Sequence, residues 1–258
     1  MKVINLHGNF MKILGIIQTR YASSRFPGKA LADVGGKPML QRVYEQSQMS
    51  SFLSQLVVAT DDERIFDTCI RLNIPVEMTA DYHRSGTDRC AEVAKNHPEY
   101  EAIISIHCDE PFIMSNQIDI LAKTLLQNST ADIATLAKFI QTQEELCDSD
   151  VVKIVFGYNM EAIYMSRHPI PYYAFAEKEE WLLRHQYYKH IGLYGFKRET
   201  LLEVAALNVS YLETSENLEA LRWIENDYNV KVALTDYDSL EINTPEDLAE
   251  LLTRKQNI

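Results

Sequence analysis

Arg20, Arg25 and Lys29 are spaced among small and turn-forming residues in the stretch Thr19-Arg20-Tyr21-Ala22-Ser23-Ser24-Arg25-Phe26-Pro27-Gly28-Lys29. A basic loop leaving a buried strand can hold a polyphosphate with side-chain charge and with backbone N–H groups. On residue types alone, a solvated surface loop is the alternative. A glycine turn, Gly35-Gly36-Lys37, follows it. Asp109 and Glu110 come directly after the apolar run Ile103–Cys108. Carboxylates in that position suit Mg²⁺, which takes oxygen ligands and reaches protein through one or two carboxylates plus phosphates; a strand-ending acidic turn is the plainer reading. His83-Arg84-Ser85-Gly86-Thr87-Asp88-Arg89 offers hydroxyls and amides that could read a nucleobase edge, or could cap a helix starting near Asp88. Neither G-x-x-x-x-G-K-[ST] nor G-x-G-x-x-G is present, so the chain carries no P-loop and no dinucleotide fingerprint.

The elements that must position these residues alternate. Ile13–Gln18, Gln55–Thr60 and Ala102–Cys108 read as strands, being short, apolar and bounded by turn residues. Met39–Ser50 and Asp62–Leu72 carry apolar residues at helical spacing, and Asn116–Gln127 and Ala131–Lys138 continue as helix and strand. Such repetition predicts right-handed crossovers and a largely parallel sheet. Ligands then bind at the carboxyl ends of strands, which is where the basic loop and Asp109 both fall. In the second half, Lys153–Phe156 and Ala162–Met165 fit a hairpin, followed by the loop Ser166–Pro171. His190–Phe196 reads as a strand, Ser215–Asn226 as one helix and Val230–Leu234 as a strand. Thr244 is an N-cap, with Pro245 at the first position of a last helix. Residues 1–10 read as an N-terminal extension and 11–258 as a single domain, with no linker, repeat or low-complexity tract.

Composition narrows the function. The 258 residues are 46% hydrophobic and 24% charged, ordinary values for a globular protein. A net charge of −12 argues against nucleic-acid binding and leaves the basic loop as a local exception suited to a small anion. Four widely spaced cysteines without a CxxC pair read as reduced thiols. No apolar run is long enough to span a membrane, and residues 1–10 lack the apolar centre of a signal peptide. A cytoplasmic protein is expected.

Taken together, these segments resemble the CMP-Kdo synthetase family, the 3-deoxy-manno-octulosonate (Kdo) cytidylyltransferases, from about residue 12 to residue 252. The carriers are Arg20–Lys29, Gly35-Gly36-Lys37-Pro38-Met39, Ala59-Thr60-Asp61-Asp62 and His83–Arg89. Asp109-Glu110-Pro111, Ser166-Arg167 with Ile170-Pro171, His190–Tyr194, Leu218-Glu219 and Thr244-Pro245-Glu246-Asp247-Leu248 complete them. The resemblance implies a three-layer α/β nucleotidyltransferase fold with a mixed, largely parallel sheet, usually a homodimer. It also implies the reaction of CTP with a 3-deoxy-ulosonic acid to give a CMP-sugar and pyrophosphate, for lipopolysaccharide biosynthesis. By the same resemblance Arg20, Arg25 and Lys29 hold the triphosphate, and Ser85, Gly86 and Arg89 lie around the nucleotide. Asp109 is a Mg²⁺ ligand, while Arg167, His190, Tyr194 and Glu219 surround the sugar acid. Arg20, Lys29 and Asp109 are the expected catalytic residues.

The chain departs from the family at three places. His107-Cys108 stand where Gln-Gly usually precedes the metal-binding Asp, and Glu219-Ala220 where Glu-Gln is usual. Asn243 stands where a second metal-binding Asp is expected; it keeps the shape and a carbonyl oxygen but not the charge. His107, two residues before Asp109, is placed with the sugar-binding set. Glu241 or His107 could help hold a metal, His107 favouring a softer ion such as Mn²⁺. A solvated Glu241, and a His107 that hydrogen-bonds nucleotide or sugar, are the plainer readings. Three functions stay open at this level: a Kdo cytidylyltransferase, the same chemistry on another sugar acid, and a non-catalytic nucleotide-binding paralogue.

Overall fold

The computed structural model describes residues 11–23, 25–238 and 240–255; the N-terminal extension lies outside them. The strands are β1 (Ile13–Gln18), β2 (Gln55–Thr60), β3 (Val76–Met78), β4 (Ala102–His107), β5 (Ile133–Phe139), β6 (Lys153–Phe156), β7 (Ala162–Ser166), β8 (Tyr188–Lys197) and β9 (Val230–Leu234). The α-helices are α1 (Met39–Gln48), α2 (Glu63–Arg71), α3 (Gly86–Asn96), α4 (Ser115–Gln127), α5 (Gln143–Cys147), α6 (Trp181–Arg184), α7 (Arg198–Ala205), α8 (Tyr211–Glu216), α9 (Ala220–Glu225) and α10 (Pro245–Lys255). They fall into two compact units. One gathers residues 11–119, Lys197–Ala205 and 240–255; the other gathers Ile120–Phe196 and Ala206–Asp238.

In the first unit β3, β2, β1 and β4 run parallel in that order, with β1 paired to β2 on one side and β4 on the other. The residues Ile13–Ile17 of β1 and Ala102–Ile106 of β4 are buried without alternation. This is the pattern of a parallel sheet covered on both faces, and it explains why the strands appear in the sequence as continuous apolar runs. Helix α2 starts at Asp62, whose side chain accepts from the Arg64 N–H, and α3 starts in a reciprocal capping box of Ser85 and Asp88. That box places the first turn of α3 at Gly86, two residues ahead of the sequence expectation. Val34, Met39 and Ile242 form a small core over which Phe26 and Phe112 pack, joining the basic loop to the segment before α10.

The second unit is mixed. β5 pairs antiparallel with β8 and parallel with β9, and β6 pairs antiparallel with β7 and β8. The hairpin expected from the sequence is thus β6–β7. The single helix expected over Ser215–Asn226 is instead two: α8 ends at Asn217, whose φ of 53° is left-handed, and the chain re-enters a helix at α9. Asn tolerates this conformation better than other non-glycine residues and closes helices with it. No helix among the described residues is long and apolar enough to cross a membrane.

Candidate active site

The carboxyl ends of β1 and β4, the basic loop and the start of α3 enclose a cleft of about 270 Å³ in the first unit. Seven of the residues expected at the site line it: Arg20, Lys29, Ser85, Gly86, Arg89, His107 and Asp109. The sequence reading did not assign Gln18, Thr19 and Ser23 to the site, nor Arg84, which adds another cation. The rule that ligands collect at strand carboxyl ends already pointed at Gln18 and Thr19. Four basic side chains face one acidic one here, in a protein of net charge −12. Such a cleft focuses positive potential on an anion.

Two glycines shape it. Gly28 has φ 73°, and a Cβ there would come within 2.9 Å of the Tyr21 ring. Its N–H donates to the Tyr21 carbonyl, closing the loop. From α2, Arg64 stacks its guanidinium 3.3 Å from the centre of the same ring. Gly86 lies against Gln18, whose side-chain amide would be 2.6 Å from an added Cβ. A side chain at 86 would push Gln18 out of the cleft wall.

Asp109 is 17% exposed and divides the tasks of its two oxygens. Lys29 Nζ donates to Oδ2, while Oδ1 is buried without a hydrogen bond and has His107 Nδ1 at 3.9 Å. Burial pushes the carboxyl pKa up, but the charges of His107 and Lys29 and the Lys29 hydrogen bond outweigh it. The net result lies below the usual carboxylate range, so Asp109 is ionised. Next to it, burial pushes the Cys108 thiol up to about 12, which leaves it inert as a nucleophile.

Asn243 sits close by along the backbone, because the Ile242 N–H donates to the Asp109 carbonyl at 2.9 Å. Its Oδ1 accepts from Arg25 Nη2 at 3.0 Å and its Nδ2 donates to Glu241 at 3.2 Å. Arg25 therefore ties the basic loop to the segment before α10 and is not among the residues lining the cleft. Arg89 is 3% exposed, and its guanidinium is held from behind by Thr79 and by Asp61 at 2.8 Å.

No group of three or more His, Cys, Asp or Glu side chains suited to a metal occurs among the described residues. The residues present nonetheless fit Mg²⁺ in the form that ion prefers. One ionised carboxylate with an unbonded buried oxygen lines a cleft rich in basic side chains, where phosphates would supply the remaining ligands.

Of the residues expected around the sugar acid, Arg167, His190, Tyr194 and Glu219 lie in the second unit, whereas His107 lies in the first. A β-bulge opposite Thr135 and Leu136 inserts Gly192 and Leu193 into β8. His190 and Tyr194 flank it, with ring centres 5.1 Å apart. Thr135 Oγ1 lies 2.8 Å from His190 Nε2, and Trp223 meets the Tyr194 ring edge-on at 4.8 Å. Burial, with the charge of Glu219, pushes the Tyr194 phenol well above its usual range, so it stays protonated. Ala220 begins α9 and is 2% exposed. Arg167 donates from Nε to the Glu216 carbonyl and from Nη1 to the Ser149 carbonyl, both at 2.9 Å. Its Nη2 keeps both N–H groups unbonded among the described residues.

Similarity to known proteins agrees with this geometry. A family model described as cytidylyltransferase matches residues 14–232. The 3-deoxy-manno-octulosonate cytidylyltransferase of Parabacteroides distasonis is 46% identical over 247 residues, spanning 94% of this chain and 97% of its own. That of Phocaeicola vulgatus is 46% identical, spanning 93% and 95%. A CMP:2-keto-3-deoxy-manno-octonic acid synthetase solved in complex with CTP superposes with a TM-score of 0.88 at 32% identity, over 96% of this chain and all of that one. The α/β nucleotidyltransferase architecture expected from the sequence is therefore the one observed, and this chain belongs to the CMP-Kdo synthetase family of cytidylyltransferases.

Proposed function

We propose that the protein transfers CMP from CTP to 3-deoxy-manno-octulosonate and releases pyrophosphate, supplying an activated sugar for lipopolysaccharide synthesis. The observation that carries this reading is the basic cleft at the ends of β1 and β4, with an ionised Asp109 inside it, in a chain whose curated relatives are Kdo cytidylyltransferases. The anomeric hydroxyl oxygen of the sugar forms a bond to the α-phosphorus as the bond from that phosphorus to the bridging oxygen breaks. Pyrophosphate leaves with that electron pair, and the hydroxyl proton passes to solvent. Little covalent work falls to the protein, so alignment and charge neutralisation supply the rate.

Arg20 and Lys29 neutralise the triphosphate and the departing pyrophosphate, and Arg25 supports the loop that carries them. Ser85 and Gly86 lie against the nucleoside, with Arg89 behind them. Asp109, with Asn243 beside it, would hold Mg²⁺. That ion, when bound, neutralises phosphate oxygens and acidifies the attacking hydroxyl. Arg167 presents its unbonded Nη2 to the sugar carboxylate, for which a guanidinium fork is well shaped. His190, Tyr194 and Glu219 take the sugar hydroxyls, and His107 contacts nucleotide or sugar from the cleft wall. The reading extends to residues 11–258 as one functional domain, to a homodimer, which light scattering of the purified protein tests, and to a cytoplasmic location.

Pyrophosphate release from CTP with Mg²⁺, assayed over Kdo, its amino analogue and other ulosonic acids, tests the activity. Turnover with Kdo is expected. Turnover confined to another acid would overturn the substrate, and CTP binding without turnover on any acid would overturn the catalytic reading.

A further inference from the structure

Lys153 opens β6 with a side chain that is 0% exposed. Lysine is almost never fully buried without a partner, because an ammonium loses its hydration there. No carboxylate lies within ion-pair distance of it among the described residues. Its Nζ instead donates to two backbone carbonyls, Asp148 at 2.7 Å and Val151 at 2.5 Å. An apolar side chain of the same length would fill this volume without the desolvation cost. The ammonium therefore acts on those carbonyls, drawing the exposed segment from 148 onward against a buried anchor.

Two other carbonyls of this strap accept from the residues assigned to the sugar acid. Ser149 accepts from Arg167 Nη1 at 2.9 Å, and Val152 accepts from the His190 N–H at 2.8 Å. Carbonyls that accept from Lys153 thus alternate along the strap with carbonyls that accept from Arg167 and His190. Glu216 completes the frame, accepting from Ser166 Oγ at 2.6 Å and the Arg167 N–H at 2.9 Å. With Nε and Nη1 both committed, Arg167 has its guanidinium plane set before any ligand arrives.

We infer that Lys153 is a positioning residue for the sugar acid, acting through the 148–152 strap on Arg167 and His190. The inference rests on the assignment of Arg167 and His190 to that substrate. Its test uses Lys153→Met, Lys153→Arg, one glycine inserted between Ser149 and Asp150, and Arg167→Ala as reference, with kcat, both KM values and thermal unfolding measured for each. Lys153→Met and the insertion are expected to raise KM for Kdo about tenfold or more. KM for CTP stays within about twofold, and Lys153→Arg recovers part of the loss. If Arg167→Ala raises the Kdo KM while folded Lys153→Met and the insertion leave it unchanged, the inference is overturned and the assignment stands. If Arg167→Ala leaves it unchanged, the assignment itself is overturned and the inference with it. A rise in both KM values together would mark a general structural role and also overturn it. Should Lys153→Met fail to fold, the insertion decides, because it lies in the exposed part of the strap.

Discussion

Asp109 shows how one side chain is prepared for two partners. Oδ2 is occupied by Lys29, and Oδ1 is withheld from every other hydrogen-bond donor among the described residues. Its charge survives burial because His107 and Lys29, with a backbone hydrogen bond, offset the cost. Asn in its place keeps the shape and removes the charge. With CTP bound, Asp109→Asn is expected to weaken Mn²⁺ binding about tenfold or more, measured by electron paramagnetic resonance, and Asn243→Asp to strengthen it. Unchanged binding in Asp109→Asn would remove that residue from the metal site. The candidacy of Asp109 was legible in the sequence because it follows an apolar strand. The commitment of Asn243 to Arg25 was not, since the two are 218 residues apart. Glu241, raised as a compensating ligand, is found hydrogen-bonded to Asn243.

At the scale of elements, caps and turns decide where side chains arrive. The Ser210–Glu213 capping box starts α8, and the same Glu213 carboxylate takes both arms of Arg222 from α9 at 2.7 and 2.5 Å. One residue therefore fixes the corner made by Asn217, next to Glu219. Burial opposes the Glu213 charge, but Arg222 and the Ser210 N–H hold its pKa below the ordinary glutamate value. A depressed folded pKa means stability that is present above the unfolded pKa and lost as pH falls through the folded one. Glu213→Gln is expected to cost about 1–3 kcal/mol at pH 7 in urea denaturation, with the gap to the unsubstituted protein closing below about pH 4. A gap independent of pH would show that the ion pair is not its source. The sequence misplaced this corner because apolar spacing continues through Leu218 and Leu221, so helical periodicity does not register the break.

Across the whole molecule the residues proposed for nucleotide and for sugar acid separate by unit, His107 aside. Arg20, Lys29, Ser85, Gly86, Arg89 and Asp109 belong to the first; Arg167, His190, Tyr194 and Glu219 belong to the second. Affinities should separate in the same way. In calorimetric titration with CTP alone, Lys29→Met is expected to weaken binding about tenfold or more, whereas His190→Ala leaves it within about twofold. Equal losses in both variants would contradict the division.

The sequence alone determined β1, β2 and β4, the place of the basic loop and the family, because each is written in local order. Buried parallel strands are unbroken apolar runs, and a loop proposed to admit polyphosphate keeps its glycines and cations at close spacing. Only the tertiary structure decided which groups those residues hold. Arg25 meets Asn243, Arg89 is backed by Asp61, and Lys153 grips carbonyls that carry Arg167 and His190. Such pairings depend on which segments pack together and on what burial leaves available to bond. Neither is encoded in the spacing of residues along the chain.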